Sequence, residues 1–243
     1  MMQVYRTVTV LRLKSLFRVP AYWLPTLLFP AMLFAMFGAG GSGARADYAM
    51  ASFTIYAVIG VAFFQFGVSI AQDRETQWER YRRTLPGTTG PQVVAQLSAA
   101  LVFSLMAAML VIGVGFALSQ PSLGAGALGQ LLLAAVGVSI PFTLLGVALG
   151  YWTTSKSAVG IANMLYLPLA YVGGLWMPPA SLPNIVAKIS PYMPTRHAGE
   201  VVWAIAGAQV VPNASILWLV GYAAIFATIA YLGYRRDEKN RYA

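Results

Sequence analysis

The stretch YAMASFTIYAVIGVAFFQFGVSIA (48–71) runs directly into QDRETQWERYRRTLPGTTGP (72–91), and the contrast between the two indicates the fold class. No charged residue occurs in the 25 positions between Asp47 and Asp73, whereas 72–91 holds 7 of the chain's 23 charged residues. A helix crosses about 30 Å of hydrocarbon with about 20 apolar residues. The stretch therefore predicts a membrane-spanning helix followed by a charged loop in water.

The same pattern extends over the whole chain. Only 9% of the 243 residues are charged, 58% are hydrophobic and none is cysteine, whereas about 25% are charged in an ordinary soluble domain. These values exclude a soluble globule, a disordered chain and a disulfide-stapled secreted domain. Five uncharged runs are long enough to span, and the longest, between Arg83 and Lys156, holds two spans because Pro and Gly break it at 119–129. These runs are too long and too continuously apolar for barrel strands. We expect an all-α integral membrane protein, one transmembrane domain over 1–243, with spans at about 20–38, 48–71, 92–118, 130–152, 158–177 and 213–234.

The basic residues indicate how these spans are oriented. With six spans both termini, including the tail 235–243, lie on one side of the membrane. That side collects thirteen of the 16 Lys and Arg residues, which predicts that it is cytoplasmic. The net charge of +9 is thus explained by topology, and we expect no nucleic-acid partner. The thirteen are Arg6, Arg12, Lys14, Arg18, Arg74, Arg80, Arg82, Arg83, Lys156, Arg235, Arg236, Lys239 and Arg241.

Two flanking segments carry further expectations. Residues 1–19 alternate basic and apolar side chains, which fits an interfacial amphipathic helix on the inner leaflet or a positive flank that orients span 1. The Pro-rich connection 178–212 consists of apolar pieces too short to span, so it is an outer lid or a re-entrant segment. Within it, Thr195 is expected to cap a helix through Ala206, and Glu200 to pair with Arg196.

The charged loop 72–91 has a helical pattern of its own. Asp73 and Glu75 stand near its expected start and Arg82 and Arg83 near its end, as the helix dipole favours. Trp78, Tyr81, Arg82 and Leu85 share one face, and Glu79 can pair with Arg83 at i,i+4. An aromatic–Arg face is typical of a protein docking site. A solvated loop that only obeys the positive-inside rule has the same composition.

Catalytic and metal-binding motifs are absent from the sequence. The single histidine, His197, cannot form a His-rich metal site and is expected to be structural or interfacial. No P-loop, G-x-S-x-G or H-E-x-x-H motif occurs, and no Asp or Glu falls inside the six spans. These absences argue against catalytic residues, a metal site, an ATPase activity of this chain and a proton-driven carrier.

Polar and aromatic residues gather in spans 2 and 5. They form either an interfacial belt with lipid-facing packing or an apolar surface for an amphipathic substrate. In span 4, Gly146-x-x-x-Gly150 permits close helix packing. The residues in question in spans 2 and 5 are Tyr56, Phe63, Phe64, Gln65, Asn163, Tyr166 and Tyr171.

Over nearly its whole length the chain resembles the permease subunits of type-2 ABC (ATP-binding cassette) exporters. DRETQWERYRRTLPGTTGPQVVAQL (73–97) is similar to the family's loop, in which an R-E-x-G-T-like start leads through a basic helix to a T-P turn. Arg74, Glu75 and Thr84 match, whereas Gln77 replaces the Gly-Thr start and Leu85 intervenes before Pro86. LPLAYVGGLWMPPASLPNIVAKISPYMPTRHAGEVVWAI (167–205) is similar to the family's break, short helix, Pro-marked turn and further helix.

The resemblance implies a mechanism. The loop between spans 2 and 3 is then a cytoplasmic coupling helix that docks on a separate ABC ATPase subunit, and the segment between spans 5 and 6 is re-entrant. Two permease chains, expected to be a homodimer, and two ATPase chains form the transporter in the lipid of a bacterial or archaeal plasma membrane. ATP and Mg belong to the ATPase, and this chain holds no cofactor. The implied docking residues are Arg74, Glu75, Trp78, Glu79, Tyr81, Arg82 and Arg83.

In the same mechanism spans 2 and 5 line the pathway, so their seven residues named above would contact a substrate moved outward. That substrate is hydrophobic or amphipathic: a drug, a lipid or a lipid-linked glycan. The alternatives are an intramembrane lipid-modifying enzyme, which would need acidic or histidine side chains within the spans, and an ATP-independent channel or scaffold.

Overall fold

The structure is a computed structural model that describes residues 2–77, 81 and 90–239. Every regular element in these residues is a helix, which confirms the all-α expectation. The helices are α1 (Met2–Phe17), α2 (Pro20–Leu33), α3 (Ala44–Phe63), α4 (Ser69–Glu75), α5 (Gly90–Leu118), α6 (Ala125–Val138), α7 (Ile140–Trp152), α8 (Ser155–Val172), α9 (Asn184–Ile189), α10 (Pro194–Ala206) and α11 (Asn213–Lys239). π-Helical turns at Phe34–Gly38 and Phe64–Val68 extend α2 and join α3 to α4, and single 3₁₀ turns at Pro179–Ser181 and Ser190–Tyr192 flank α9.

Four helical stretches are long and apolar enough to cross a membrane: Ala44–Glu75, Gly90–Leu118, Ala125–Trp152 and Asn213–Lys239. They occupy the regions of the predicted spans 2, 3, 4 and 6. The other two predicted spans correspond to shorter or more polar helices, α2 with its π-turn and α8, whose first turn contains Ser155, Lys156 and Ser157. The count of six spans therefore stays a prediction.

The helix formed by α3 and α4 is the centre of the bundle. Of its apolar window 89% is buried inside the chain, against 17% for Asn213–Lys239. It packs against α2, α5, α7 and α10, while α11 lies outside and packs mainly on α7. Residues of α3 thus face other helices, whereas α11 offers most of its surface to its surroundings.

Polar contacts join the helices at both ends of the bundle. At one end Arg12 meets Asp73 and Arg74 meets Asp237, and we call this the basic end. At the opposite end Ser42 pairs with Gln120 through the backbone. Residues predicted to share a side of the membrane thus lie together, although the identity of that side stays a prediction.

Two local expectations were wrong. Asp73 and Glu75 end the long central helix instead of starting a new one, because the apolar run continues as helix through Ser69–Glu75. Thr195 does not cap α10, since Pro194 already occupies its first turn and Met193 is the N-cap; the Thr195 hydroxyl donates to Leu169 O at 2.5 Å instead. The end of α10 at Ala206 and the Arg196–Glu200 ion pair, 2.8 Å, are confirmed.

Candidate docking and translocation sites

The aromatic residues of spans 2 and 5 meet at one contact between α3 and α8. The rings of Tyr56 and Tyr166 stack with centroids 4.7 Å apart, and the Tyr166 hydroxyl donates to the Tyr56 carbonyl at 2.7 Å. Phe63 and Phe64 lie 6.4 and 5.9 Å from the same Tyr166 ring. A Cβ on Gly60 would lie 2.5 Å from the Tyr166 oxygen, so only glycine leaves room for this approach.

Exposure divides the seven predicted pathway residues. Tyr56, Phe63, Gln65 and Tyr166 are buried within the chain, whereas Phe64, Asn163 and Tyr171 are half-buried. The Asn163 amide donates to Val159 O of its own helix at 3.0 Å, and Tyr171 contacts Trp176, whose ring lies 5.9 Å from Tyr56. The backbone carbonyl of Gln65 accepts a hydrogen bond from Gln96 on α5. A ligand on the surface of the chain can therefore reach the half-buried three first.

The π-helical turn Phe64–Val68 packs directly on α7. In this turn Ser69 N donates to Phe64 O, five residues earlier. A Cβ on Gly146 would lie 3.2 Å from the carbonyls of Ala62 and Phe63, and a Cβ on Gly150 would lie 2.7 Å from Ile70 Cβ. The small-residue pattern of span 4 thus marks a real backbone-to-backbone contact, and π-helical turns are frequent at functional sites.

The predicted docking residues fall partly outside the structural description. Trp78, Glu79, Arg82 and Arg83 lie outside the described residues. Tyr81 is described and 57% exposed. Arg74 and Glu75 are described and contact other parts of this chain.

Arg74 joins the ends of three helices. Its Nε and Nη2 donate to Asp237 Oδ1 on α11 at 3.1 and 2.6 Å, and its Nη1 donates to Gly150 O on α7 at 2.5 Å. The guanidinium carbon also lies 5.4 Å from the centre of the Tyr151 ring. Gly150 belongs to the last turn of α7, where carbonyls lack partners within the helix and a cation is favoured by the dipole. The side chains of Arg74 and Asp237 are only 19% and 11% exposed, so their contacts are largely internal.

The residues on either side of Arg74 contact two further elements. Glu75 Oε1 accepts from Ser155 N, the first residue of α8, at 2.9 Å, and a carboxylate suits a helix N-terminus. Asp73 Oδ2 accepts from Arg12 Nη2 of α1 at 3.1 Å. Sequence reasoning missed these contacts because the partners lie 61 to 163 positions away.

The opposite end contains a buried carboxylate that sequence reasoning also missed. Asp47 accepts from the backbone N–H groups of Ser122 and Leu123 at 2.8 and 3.2 Å, and from the Ser122 hydroxyl. It thereby fixes the turn between α5 and α6 against the start of α3. The 25 uncharged positions that follow Asp47 mark the start of a span, but its partners lie 75 and 76 positions away in the sequence.

The α10 segment holds a second polar cluster at that end. Glu200 accepts from Arg196 and from the Ser215 hydroxyl, while the His197 ring stacks on Trp218 with centroids 5.3 Å apart. Burial raises the pKa of Glu200, but the hydrogen bonds from Ser215 and Arg196 outweigh this effect and leave the pKa lowered. In the part of the chain that the structure describes, no three His, Asp or Glu side chains are grouped to hold a metal ion.

Comparison with known proteins agrees with the resemblance seen in the sequence. The family model described as "ABC-2 type transporter" matches residues 3–206, from α1 to the last residue of α10. A relative from Bacillus subtilis (strain 168), named "Putative transport permease YvfS", is 26% identical over 194 residues, covering 80% of this chain and 79% of that protein. Because the family match covers most of the chain, this protein belongs to the ABC-2 type transporter family, as a membrane-spanning permease subunit.

Proposed function

We propose that this chain is the membrane subunit of an ATP-driven exporter, powered by a separate ABC ATPase subunit that docks on the loop after α4. The observation that carries this proposal is where that loop begins: it follows Glu75, which ends the most buried of the four long apolar helices at the basic end of the bundle. A force applied to the loop acts directly on the central helix. ATP and Mg are proposed to bind the partner, with two ATPase chains and two permease chains in the complete transporter.

The docking surface proposed here lies in the loop itself. Tyr81 is exposed, and Trp78, Glu79, Arg82 and Arg83 belong to the same charged segment of the sequence. An aromatic–Arg face fits a protein groove because such residues dominate binding energy at interfaces. Arg74 and Glu75 stand at the boundary of this surface, with their side chains already engaged within the chain.

The proposed substrate is hydrophobic or amphipathic, such as a drug, a lipid or a lipid-linked glycan. Phe64, Asn163 and Tyr171 combine aromatic surface with one amide at half-buried positions of α8 and the π-turn. Tyr56, Phe63, Gln65 and Tyr166 would join the pathway only when α3 and α8 separate, because they are buried in the present arrangement. The six-span topology, cytoplasmic termini, plasma-membrane location and homodimer complete the proposal.

Co-expression with the cognate ATPase subunit tests the docking surface. Tagged permease is purified in mild detergent, and the amount of ATPase chain that accompanies it is measured. The double variant Trp78→Ala, Arg82→Glu is expected to retain about tenfold less ATPase chain, which corresponds to about 1.4 kcal/mol of binding. Arg6→Glu, a charge reversal at an exposed position of α1, serves as the matched control and should retain the wild-type amount.

Two results would count against the proposal. Wild-type permease that retains no ATPase subunit would reject the ATP-driven transporter itself. Unchanged retention in the double variant would reject the docking surface while leaving the transporter intact. The purified permease alone is expected to hydrolyse no ATP, since its sequence has no P-loop.

A further inference from the structure

Three consecutive charged residues close the central helix, and each contacts a different part of the bundle. Asp73 binds Arg12 of α1, Arg74 binds Gly150 of α7 and Asp237 of α11, and Glu75 binds the first backbone N–H of α8. The loop that we propose as the docking surface begins directly after them. Asp73, Arg74 and Glu75 are called the junction below.

The guanidinium of Arg74 is better suited to hold several helices of this chain together than to contact another protein. A guanidinium presents several N–H donors in a fixed planar fork, so it can hold the Asp237 carboxylate and the Gly150 carbonyl at once. A lysine could supply the charge but not this geometry. With 19% of its side chain exposed, Arg74 would have to give up these contacts before it reached a partner chain.

Glu75 connects the junction to the helix that carries the aromatic contact. It accepts from Ser155 at the start of α8, where Thr154 and Ser157 already form a capping box. The same helix bears Tyr166, which stacks on Tyr56 of α3. Between Tyr56 and the junction lies the π-turn Phe64–Val68, so α8 is held on α3 at one level and on α4 at another.

We infer that the junction is the element through which movement of the docking loop reaches α1, α7, α8 and α11, and that Arg74 and Glu75 are positioning residues and not docking contacts. This inference rests on the proposed function, because it presupposes an ATPase subunit that moves the loop. When the loop shifts, the side chains of the junction carry the ends of four helices with it. Without them, ATP binding moves the loop alone.

The complex with the ATPase subunit provides the test, and the absence of cysteine from this chain makes it practical. Lys156→Cys places the only thiol of this chain at an exposed position in the first turn of α8, outside the predicted span 158–177. The rate at which a maleimide labels this chain, read from its mass, is compared between the nucleotide-free complex and the complex trapped with Mg-ATP and vanadate. Retention of the ATPase subunit is measured on the same samples.

We expect the junction to determine how the labelling rate responds to ATP trapping, but not how much ATPase subunit the permease retains. Trapping should change the labelling rate by about threefold or more in the wild-type background, as expected when a ligand shifts the balance between two conformations. Arg74→Ala and Glu75→Ala should abolish most of that change while retaining the wild-type amount of ATPase chain. Glu75→Gln, which keeps the Oε1 acceptor, and Glu238→Gln, at an exposed acid beside Asp237, should behave as wild type.

The outcomes separate the inference from the proposed function. Loss of the ATPase subunit from Arg74→Ala and Glu75→Ala would make these residues docking contacts and overturn the inference, while the exporter would stand. An unchanged labelling response in both variants, or no response of Lys156→Cys in the wild-type background, would also overturn it. A wild-type complex that does not assemble rejects the proposed function itself. Should Arg74→Ala fail to fold, Glu75→Ala decides the matter, because its side chain lies at an exposed helix end.

Discussion

Replacing Gly150 by alanine tests the close contact between α7 and the central helix. An added Cβ would lie 2.7 Å from Ile70 Cβ and 3.0 Å from Gly67 O. Carbon atoms pack at about 3.5–4.0 Å, so the two helices must move apart by about 1 Å. Overpacking of this kind costs about 1–3 kcal/mol, and the gain in helix propensity from Gly to Ala offsets about 1 kcal/mol of it.

Two other glycines provide comparisons, because an added Cβ at each has a different amount of space. A Cβ on Gly146 would lie 3.2 Å from two backbone carbonyls, which calls for a shift of only a few tenths of an ångström. A Cβ on Gly113, within α5, would meet nothing within 4 Å. Gly113→Ala should therefore be neutral or stabilising, since it also restricts the unfolded chain, by about 0.4–1 kcal/mol.

Thermal unfolding of the purified permease in one detergent provides the assay. At about 2–4 °C per kcal/mol for a chain of this size, Gly113→Ala should raise Tm by about 2 °C and Gly150→Ala should lower it by a similar amount or more. Gly146→Ala should fall between them. If Gly150→Ala proves as stable as Gly113→Ala, the backbone contact between the two helices does not exist in the folded protein.

Two further predictions concern the ends of the bundle. Asp47→Ala should leave the N–H groups of Ser122 and Leu123 without their acceptor, at about 0.5–1.5 kcal/mol for each lost hydrogen bond, because Ser122 is exposed and Leu123 half-buried. Hydrogen exchange at these two amides should accelerate, and unchanged exchange would contradict the contact. Tyr166→Phe should cost only about 1 kcal/mol, because it removes the hydrogen bond to Tyr56 but keeps the stacked ring. Tyr166→Ala should cost about 3–5 kcal/mol, and equal Tm values for the two variants would show that the ring contributes nothing.

Local patterns predicted much of the fold. The uncharged runs identified the regions of four long apolar helices, because a charged side chain in lipid is costly and is therefore rare in a membrane-spanning helix. The ion pair of Arg196 with Glu200 followed from their spacing on one helix. Gly146 and Gly150 marked a close contact because small residues four apart lie on one helical face.

The contact partners of the charged side chains could not be predicted from the sequence in the same way. Arg74 and Asp237 are 163 positions apart, and nothing in either neighbourhood indicates the other. In a sequence with few charges, a charged residue that bonds to other helices cannot be distinguished from a charged residue that faces water. Composition placed the junction at the boundary between a span and a charged loop but assigned all of its residues to the loop.

The sequence predicts which spans contain the aromatic residues but not which of these residues are buried. The sequence placed Tyr56 and Tyr166 in spans 2 and 5, and the structure brings them into direct contact. The sequence alone does not distinguish these two buried residues from Phe64 and Tyr171, which are half-buried. Burial depends on how α3 and α8 are rotated about their axes when they pack together, and at Phe64 the helical periodicity itself changes because the π-turn begins there.

The π-turn also determines where the central helix can change in length. A π-turn accommodates one residue more than the α-helix on either side of it, so losing one residue between Phe64 and Val68 would restore ordinary α-helix without turning its two ends. A deletion elsewhere between Tyr56 and Arg74 would rotate Arg74 by about 100° relative to Tyr56 and separate the guanidinium from Asp237. Among related chains, a one-residue deletion between Tyr56 and Arg74 should therefore be confined to these five positions.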